Sequence, residues 1–484
     1  MLRYPFLSYC FIFFMTSLNL QGQDLVSFEF LKEESKQTFI DQGVPGEYDI
    51  AYYKITYTTP DVYEVQDTAS GLLIIPLDDT RQFPMMTYLH GTVADRNMGM
   101  SNLAAADVQL AEIYGTFGFI TVAPDYLGMN ESRGFHPYVH AKSEASAARD
   151  MMRAVRASIT PQFGTYFNDR TFLTGYSQGG HACMALHREL EENNPGEFDI
   201  IISLPMSGPY SISEKMIEFS LSDKEYFFVA YLPNVALSYK TAYPVLLQDL
   251  ELEDIFKTDY IDDIRDFEDG NIDLFQLNQK LIDRLVTNHG SSIPKFMLKD
   301  GIVDALFNDP EHPLSMALAD NDVYDWTPQT WTRFYYCEGD DQVTFQNALL
   351  AEQVMNDNGA PRIETANMGS DLNHTECVTP ATQEALQILF FFRGITTSTT
   401  ELLDPASIQV SPNPATDLIK LNLDKSLDLK DTRINILDYN GKTVIEQEVN
   451  NKLTPISVKD LPTGLYILEV ISPTYRGIKK IIIQ

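Results

Sequence analysis

The chain has 484 residues, enough for two or three domains, and 44% apolar, 11% aromatic and 21% charged residues exclude a mainly disordered or collagen-like polypeptide. Thirty-five basic against 68 acidic residues leave a net charge of −33, a field that repels phosphate backbones and argues against nucleic acid as a partner. Four cysteines are too few for a disulfide scaffold or a multi-zinc protein.

Residues 1–22 read as a secretory signal peptide. Arg3 gives the positive start, Phe6 to Leu18 is an apolar run of signal-core length, and Gly22 is a small residue before the cleaved bond. The run is shorter than the roughly 20 residues of a spanning helix, and no later stretch spans, so no membrane anchor is expected. Cys183, Cys337 and Cys377 then lie in an oxidising compartment.

From 24 to 394, short apolar runs alternate with amphipathic stretches. Ile55–Thr59 and Gly71–Pro76 form an antiparallel meander. Met85–Leu89, Phe119–Ala123, Thr171–Thr174, Ile200–Leu204, Thr332–Tyr336 and Ile363–Ala366 are buried-strand runs. Leu103–Tyr114, Ser143–Ile159 and Thr382–Phe392 read as helices. This alternation predicts an α/β fold with a mainly parallel sheet covered on both faces.

The central motif is Gly175-Tyr176-Ser177-Gln178-Gly179, set between the strand run Thr171–Thr174 and the helical run Gly180–Leu186. A strand, a sharp glycine turn and a helix are what a nucleophile elbow requires, which makes Ser177 the expected nucleophile. A serine needs a base, and the base an orienting acid, in the chain order serine, acid, histidine. His374, read as lying in a polar loop before the last helix, is the expected base; His289 and His312 read as surface or cap residues, and His181 and His187 as packing on the elbow helix. The acid comes from Cys337-Glu338-Gly339-Asp340-Asp341-Gln342-Val343, where Asp340 stands three residues before the apolar Val343; Asp341 is the runner-up. The backbone N–H groups of Gln178, after the nucleophile, and Thr92, in the turn His90-Gly91-Thr92, are the expected oxyanion donors. His90 is read as a buttress of that turn. Cys337 and Cys377 each lie three residues from a proposed triad member, in loops that must meet, so a disulfide between them is expected and Cys183 is left free. No metal or cofactor is called for.

Ser177 and Asp340 are far apart in sequence, and the excess, about 211–329, is rich in helix formers and aromatics. It reads as a helical cap whose Phe227 and Phe228 contribute to an acyl pocket. The eleven carboxylates of Asp249–Asp273 lack EF-hand spacing and read as a solvated helix face.

After a Thr/Ser linker at 395–406 the chain changes character. Residues 403–484 carry ten acidic and ten basic residues, with no His and no Cys. Ile419/Leu421/Leu423, Ile434/Ile436 and Tyr466/Leu468/Val470 alternate, and Asn440-Gly441 signals a hairpin, which predicts a small all-β sandwich over 407–484. Ser411-Pro412-Asn413-Pro414-Ala415, Asp438-Tyr439-Asn440-Gly441-Lys442, Leu461-Pro462-Thr463-Gly464-Leu465-Tyr466 and Lys479-Lys480 resemble the C-terminal sorting domain of the type IX secretion system of certain Gram-negative bacteria. That resemblance implies export through the periplasm to the medium or the outer cell surface, with the type IX machinery as partner.

His90-Gly91-Thr92, Pro124-Asp125-Tyr126-Leu127-Gly128, the elbow and the Asp340 and His374 loops together resemble α/β-hydrolase serine esterases of the secretory-lipase type, over about 44–393. The resemblance implies a secreted carboxylic ester hydrolase acting on a small-molecule or lipid ester without a cofactor. A serine peptidase of the same fold would use the same triad, but no propeller repeat is visible; a non-catalytic binding module on the same fold is the third reading, and the complete triad counts against it.

Overall fold

A computed structural model describes residues 25–397 and 401–484, except 403–406, 426, 428, 431, 439–442 and 473–474. The expected signal peptide, positions 398–400 and 403–406 of the expected linker, and the Asn440-Gly441 turn lie outside the described residues.

Among the described residues, nine strands build the main sheet: β1 (Leu25–Glu34), β2 (Ile50–Pro60), β3 (Gln66–Pro76), β4 (Arg81–Leu89), β5 (Ile120–Pro124), β6 (Tyr166–Tyr176), β7 (Asp199–Met206), β8 (Thr332–Tyr336) and β9 (Ile363–Asn367). Their order is β1-β2-β3-β5-β4-β6-β7-β8-β9. β1, β2, β3 and β5 pair antiparallel in succession; from β5 onward every pairing is parallel. Thr396–Thr397 returns to pair with the start of β4. The interior parallel strands carry the continuous apolar runs of the sequence because both their faces are buried. In β6, Leu173 packs with the helices Ala141–Phe163 and Gln178–Arg188, while its neighbour Phe172 packs on the other face with Val108–Thr116 and His374–Phe392.

Three elements differ from the sequence expectations. The helix expected over Leu103–Tyr114 begins only at Val108, because Leu103 turns left-handed after Met100–Asn102. β1 is an additional strand; as an edge it leaves Val26, Phe28 and Phe30 exposed, so it carries no burial signature. The last helix begins at His374, not Thr382. Asn373 accepts from Glu376 N while the Glu376 side chain accepts from Asn373 N, a reciprocal cap that starts the helix despite Pro380 inside it.

Between β7 and β8, helices including Tyr231–Ala242, Thr258–Glu268, Leu274–His289, Asp300–Asn308 and Pro313–Asp320 form a cap around its own apolar cluster, with Leu277, Leu281, Leu285 and Met297 fully buried. The acidic helix Thr258–Glu268 is not wholly solvated: Asp263 is buried and bonds Lys280 and Arg284.

The described C-terminal residues form a five-stranded and a three-stranded sheet. Ile419, Leu421, Leu423, Ile434, Ile436, Leu468 and Val470 fill the core between them, following the alternation of the sequence.

Candidate active site

Ser177 sits between the end of β6 and the first residue of the helix Gln178–Arg188, with φ +60° and ψ −121°. A β-carbon on Gly179 would lie 1.9 Å from the Leu89 carbonyl oxygen, and one on Gly175 would lie 2.3 Å from the Gly179 oxygen. Only glycine fits at either place, and the spacing Gly-x-Ser-x-Gly is the trace of that backbone crossing. The Ser177 N–H donates to the Met206 carbonyl at 2.9 Å, fixing the turn against the end of β7.

His374 brings Nε2 to 2.9 Å from Ser177 Oγ and Nδ1 to 2.7 Å from Asp340 Oδ2. Asp340 is buried, and its Oδ1 accepts the N–H groups of Gln342 (3.0 Å) and Val343 (2.8 Å), so both carboxylate oxygens are engaged. Asp341 meets His374 elsewhere: its Oδ1 accepts the backbone N–H of His374 at 3.2 Å, at the start of the helix. Tyr176 OH donates to the His374 carbonyl at 2.6 Å. Cys337 and Cys377 are joined by a disulfide with Cα atoms 6.0 Å apart, linking the end of β8 to the His374 helix; Cys183 is free and buried.

Gln178 N is at the first position of its helix, where amides lack an intrahelical acceptor. Thr92 lies in the turn after β4; a β-carbon on the adjacent Gly91 would be 3.9 Å from Ser177 Cβ, so this turn abuts the elbow. Gly91 N donates to Asp107 Oδ2 at 2.7 Å and the Thr92 hydroxyl meets Tyr138 OH at 2.9 Å. His90 is fully buried beneath the turn, with Nδ1 2.7 Å from the Gly91 carbonyl. His312 caps the helix Pro313–Asp320, and His289 ends the helix Leu274–His289. Among the described residues no group of three or more His, Cys, Asp or Glu is arranged to hold a metal.

Two pockets meet at Gln178 and Tyr138. The first is apolar, with an empty volume of ≈ 860 Å³ including its mouth; Ser177, Gln178 and Gln342 line it from the scaffold, and Tyr226, Tyr231, Leu306, Leu314 and Leu318 from the cap. The second is more polar, lined by Thr92, Asp95, Arg96, His136, Asn234 and Asp273 among others. Neither Phe227 nor Phe228 lines the apolar pocket. Phe227 is 57% exposed, and Phe228 is buried in the cap, stacked on Tyr231.

The fold is shared with solved structures. The rice cell wall degrading esterase LipA from Xanthomonas oryzae is 26% identical, with a TM-score of 0.64 over 76% of this chain and 96% of that one. A putative hydrolase from Legionella pneumophila is 23% identical, with a TM-score of 0.67 over 76% and 99%. Candida antarctica lipase A is 14% identical, with a TM-score of 0.54 over 72% and 77%. Residues 409–484 match the family model of the secretion system C-terminal sorting domain. This is an esterase- and lipase-like α/β-hydrolase fold with a secretion sorting domain. Comparison with curated proteins gives no match. The sorting domain marks the chain for export to the cell surface or beyond by the type IX system. No described helix is long and apolar enough to cross a membrane.

Proposed function

We propose that the protein is a secreted carboxylic ester hydrolase working through an acyl-enzyme. The observation that carries the reading is the unbroken line Ser177 Oγ–His374 Nε2–His374 Nδ1–Asp340 Oδ2 beside an apolar pocket. Ser177 Oγ attacks the acyl carbonyl carbon as its proton passes to His374 Nε2. Asp340 holds the ring in the Nδ1–H tautomer and stabilises the imidazolium. The tetrahedral oxygen takes the negative charge and accepts from Gln178 N–H and Thr92 N–H, donors that contribute several kcal/mol in such sites. Collapse breaks the ester C–O bond, and the alkoxide leaves with the proton from His374. Water then repeats the sequence on the acyl-serine, releasing the acid and restoring Ser177.

The apolar pocket suits an aliphatic acyl chain, each buried methylene adding about 0.8 kcal/mol to binding. The polar pocket beyond Gln178 suits the alcohol part. We therefore expect short-to-medium acyl esters to be better substrates than acetyl esters. The test is a chain-length series of p-nitrophenyl esters on the purified protein, with labelling by a fluorophosphonate and mapping of the adduct. Hydrolysis with labelling at Ser177 supports the reading; an unlabelled, inactive protein, or one that cleaves peptide anilides but no ester, overturns it.

A further inference from the structure

The Gln178 side chain is 2% exposed and does a job separate from that of its backbone. Its amide nitrogen lies 2.9 Å from Glu144 Oε1 and 2.9 Å from His136 Nε2. That nitrogen carries two hydrogens and no free lone pair, so both neighbours must accept. His136 can: Nδ1 is 2.8 Å from the Leu127 carbonyl, which places the proton on Nδ1 and leaves the Nε2 lone pair facing Gln178. Burial pulls the His136 pKa down to about 4, so the ring is neutral at neutral pH. Glu144, fully buried in the first turn of Ala141–Phe163, excludes the flipped amide, whose carbonyl would face a carboxylate.

Glu144 is itself held from behind. Its Oε2 lies 2.7 Å from Nδ1 of the fully buried His181, whose Nε2 is 2.8 Å from the Asn321 carbonyl. Asn321 follows the cap helix Pro313–Asp320, and its Oδ1 accepts from Ala141 N at 2.8 Å. A carboxylate and an imidazole with no solvent contact are weak sources of stability compared with apolar packing. Their position is more informative: they end on the residue that follows the nucleophile, whose peptide must point one way for its N–H to meet the tetrahedral oxygen.

We propose that Glu144, backed by His181, is a positioning residue for the oxyanion hole, gripping the Gln178 amide so that the Gln178 N–H stays aimed at the reacting oxygen. This rests on Ser177 being the nucleophile of an ester hydrolase. Glu144→Ala removes the grip. Gln178→Met removes it from the other side at similar volume while keeping the backbone N–H. Glu144→Gln keeps it, because its oxygen still accepts from Gln178 while its nitrogen donates to His181 Nδ1.

The experiment measures kcat and KM on one soluble ester, the inhibition constant of a trifluoromethyl ketone that adds to Ser177 as a tetrahedral oxyanion, and the thermal midpoint, for the full secreted chain. Glu144→Ala and Gln178→Met are expected to lower kcat about 10- to 100-fold, with KM within about threefold of wild type, and to weaken the ketone by the same factor as kcat. Glu144→Gln is expected to recover to within about threefold of wild type, and the double variant Glu144→Ala/Gln178→Met to cost no more than the worse single one, since both break the same Gln178–Glu144 hydrogen bond. Unchanged kcat in folded Gln178→Met overturns the proposal, as does a loss of activity without loss of ketone affinity; Gln178→Met carries the test if Glu144→Ala does not fold. A wild-type protein that hydrolyses no ester defeats the esterase reading before any variant is made, whereas an active wild type with indifferent variants defeats only the role of Glu144.

Discussion

A methyl group added at Gly179, beside Ser177, would sit 1.9 Å from a backbone oxygen; the same methyl at Gly301, in the cap, would meet nothing within 4 Å. The elbow is made of backbone against backbone, with no flexible side chain able to yield. The cap is helices around aliphatic and aromatic side chains, in which volumes can be exchanged. On the proposed reading, the first region fixes whether chemistry occurs and the second adjusts which acyl group is offered to it. Tyr226 and Tyr231 stitch the two together by donating to the backbone and side-chain oxygens of Gln342, two residues after Asp340.

The contrast is sharpest in the glycines. Gly179→Ala should cost more than about 4 kcal/mol and leave little soluble protein, whereas Gly301→Ala, in the helix Asp300–Asn308, should be neutral or stabilising by up to about 1 kcal/mol. Soluble yield and denaturant midpoints decide, and a well-folded Gly179→Ala would break the comparison. Next in size, Ser177→Ala and His374→Ala should each lower ester hydrolysis at least about 10⁴-fold while leaving the circular dichroism spectrum intact. Asp340→Asn should cost about 10³-fold or more and Asp341→Asn less than about tenfold, because Asp340 meets the imidazole and Asp341 only the backbone N–H of His374. The reverse order in kcat would exchange their roles.

On the cap side, Leu314→Phe or Leu318→Phe should move the preferred acyl chain toward shorter esters, with roughly tenfold changes on the longest substrates and little change on acetyl esters. Equal loss on every chain length would mean that these leucines support the fold and not the pocket. The smallest expected effect is a dependence of stability on pH. Burial holds His136 and His140 at about 4, below the 6.5 of a free imidazole. Between those values the unfolded chain binds protons that the folded chain does not, so stability from these groups is complete above about pH 6.5 and is lost as pH falls toward 4. The thermal midpoint should drop by a few degrees from pH 7 to pH 4.5; a flat profile would mean that both rings titrate in the folded state as they do in the free chain.

What the sequence discloses follows the same division. The interior strands β4 to β7 are legible because parallel strands buried on both faces carry continuous apolar runs, and the elbow is legible because its glycines are imposed by the backbone. β1 is hidden, since an edge strand with Phe28 and Phe30 in solvent has no inward face to advertise. The start of the last helix is readable in Asn373-x-x-Glu376, a capping pattern that Pro380 and the surrounding polar residues obscure. Phe227 and Phe228 mark an aromatic segment, but they lie in the irregular stretch before the helix Tyr231–Ala242, where no period shows which rings face the pocket; Tyr226 and Tyr231 do. The contact between Gln178 and Glu144 joins residues 34 apart through helix packing, and no local pattern announces it.

The bridge from Cys337 to Cys377 closes a loop of 40 residues whose two ends carry Asp340 and His374. In the reducing cytosol those positions are thiols, and the halves of the relay are joined only by non-covalent contacts. A disulfide needs an oxidising compartment, so the bridge suits the export route that the sorting domain directs. If the chain is the proposed hydrolase, it is least secured where stray hydrolysis would do its maker most harm, and most secured after it has left.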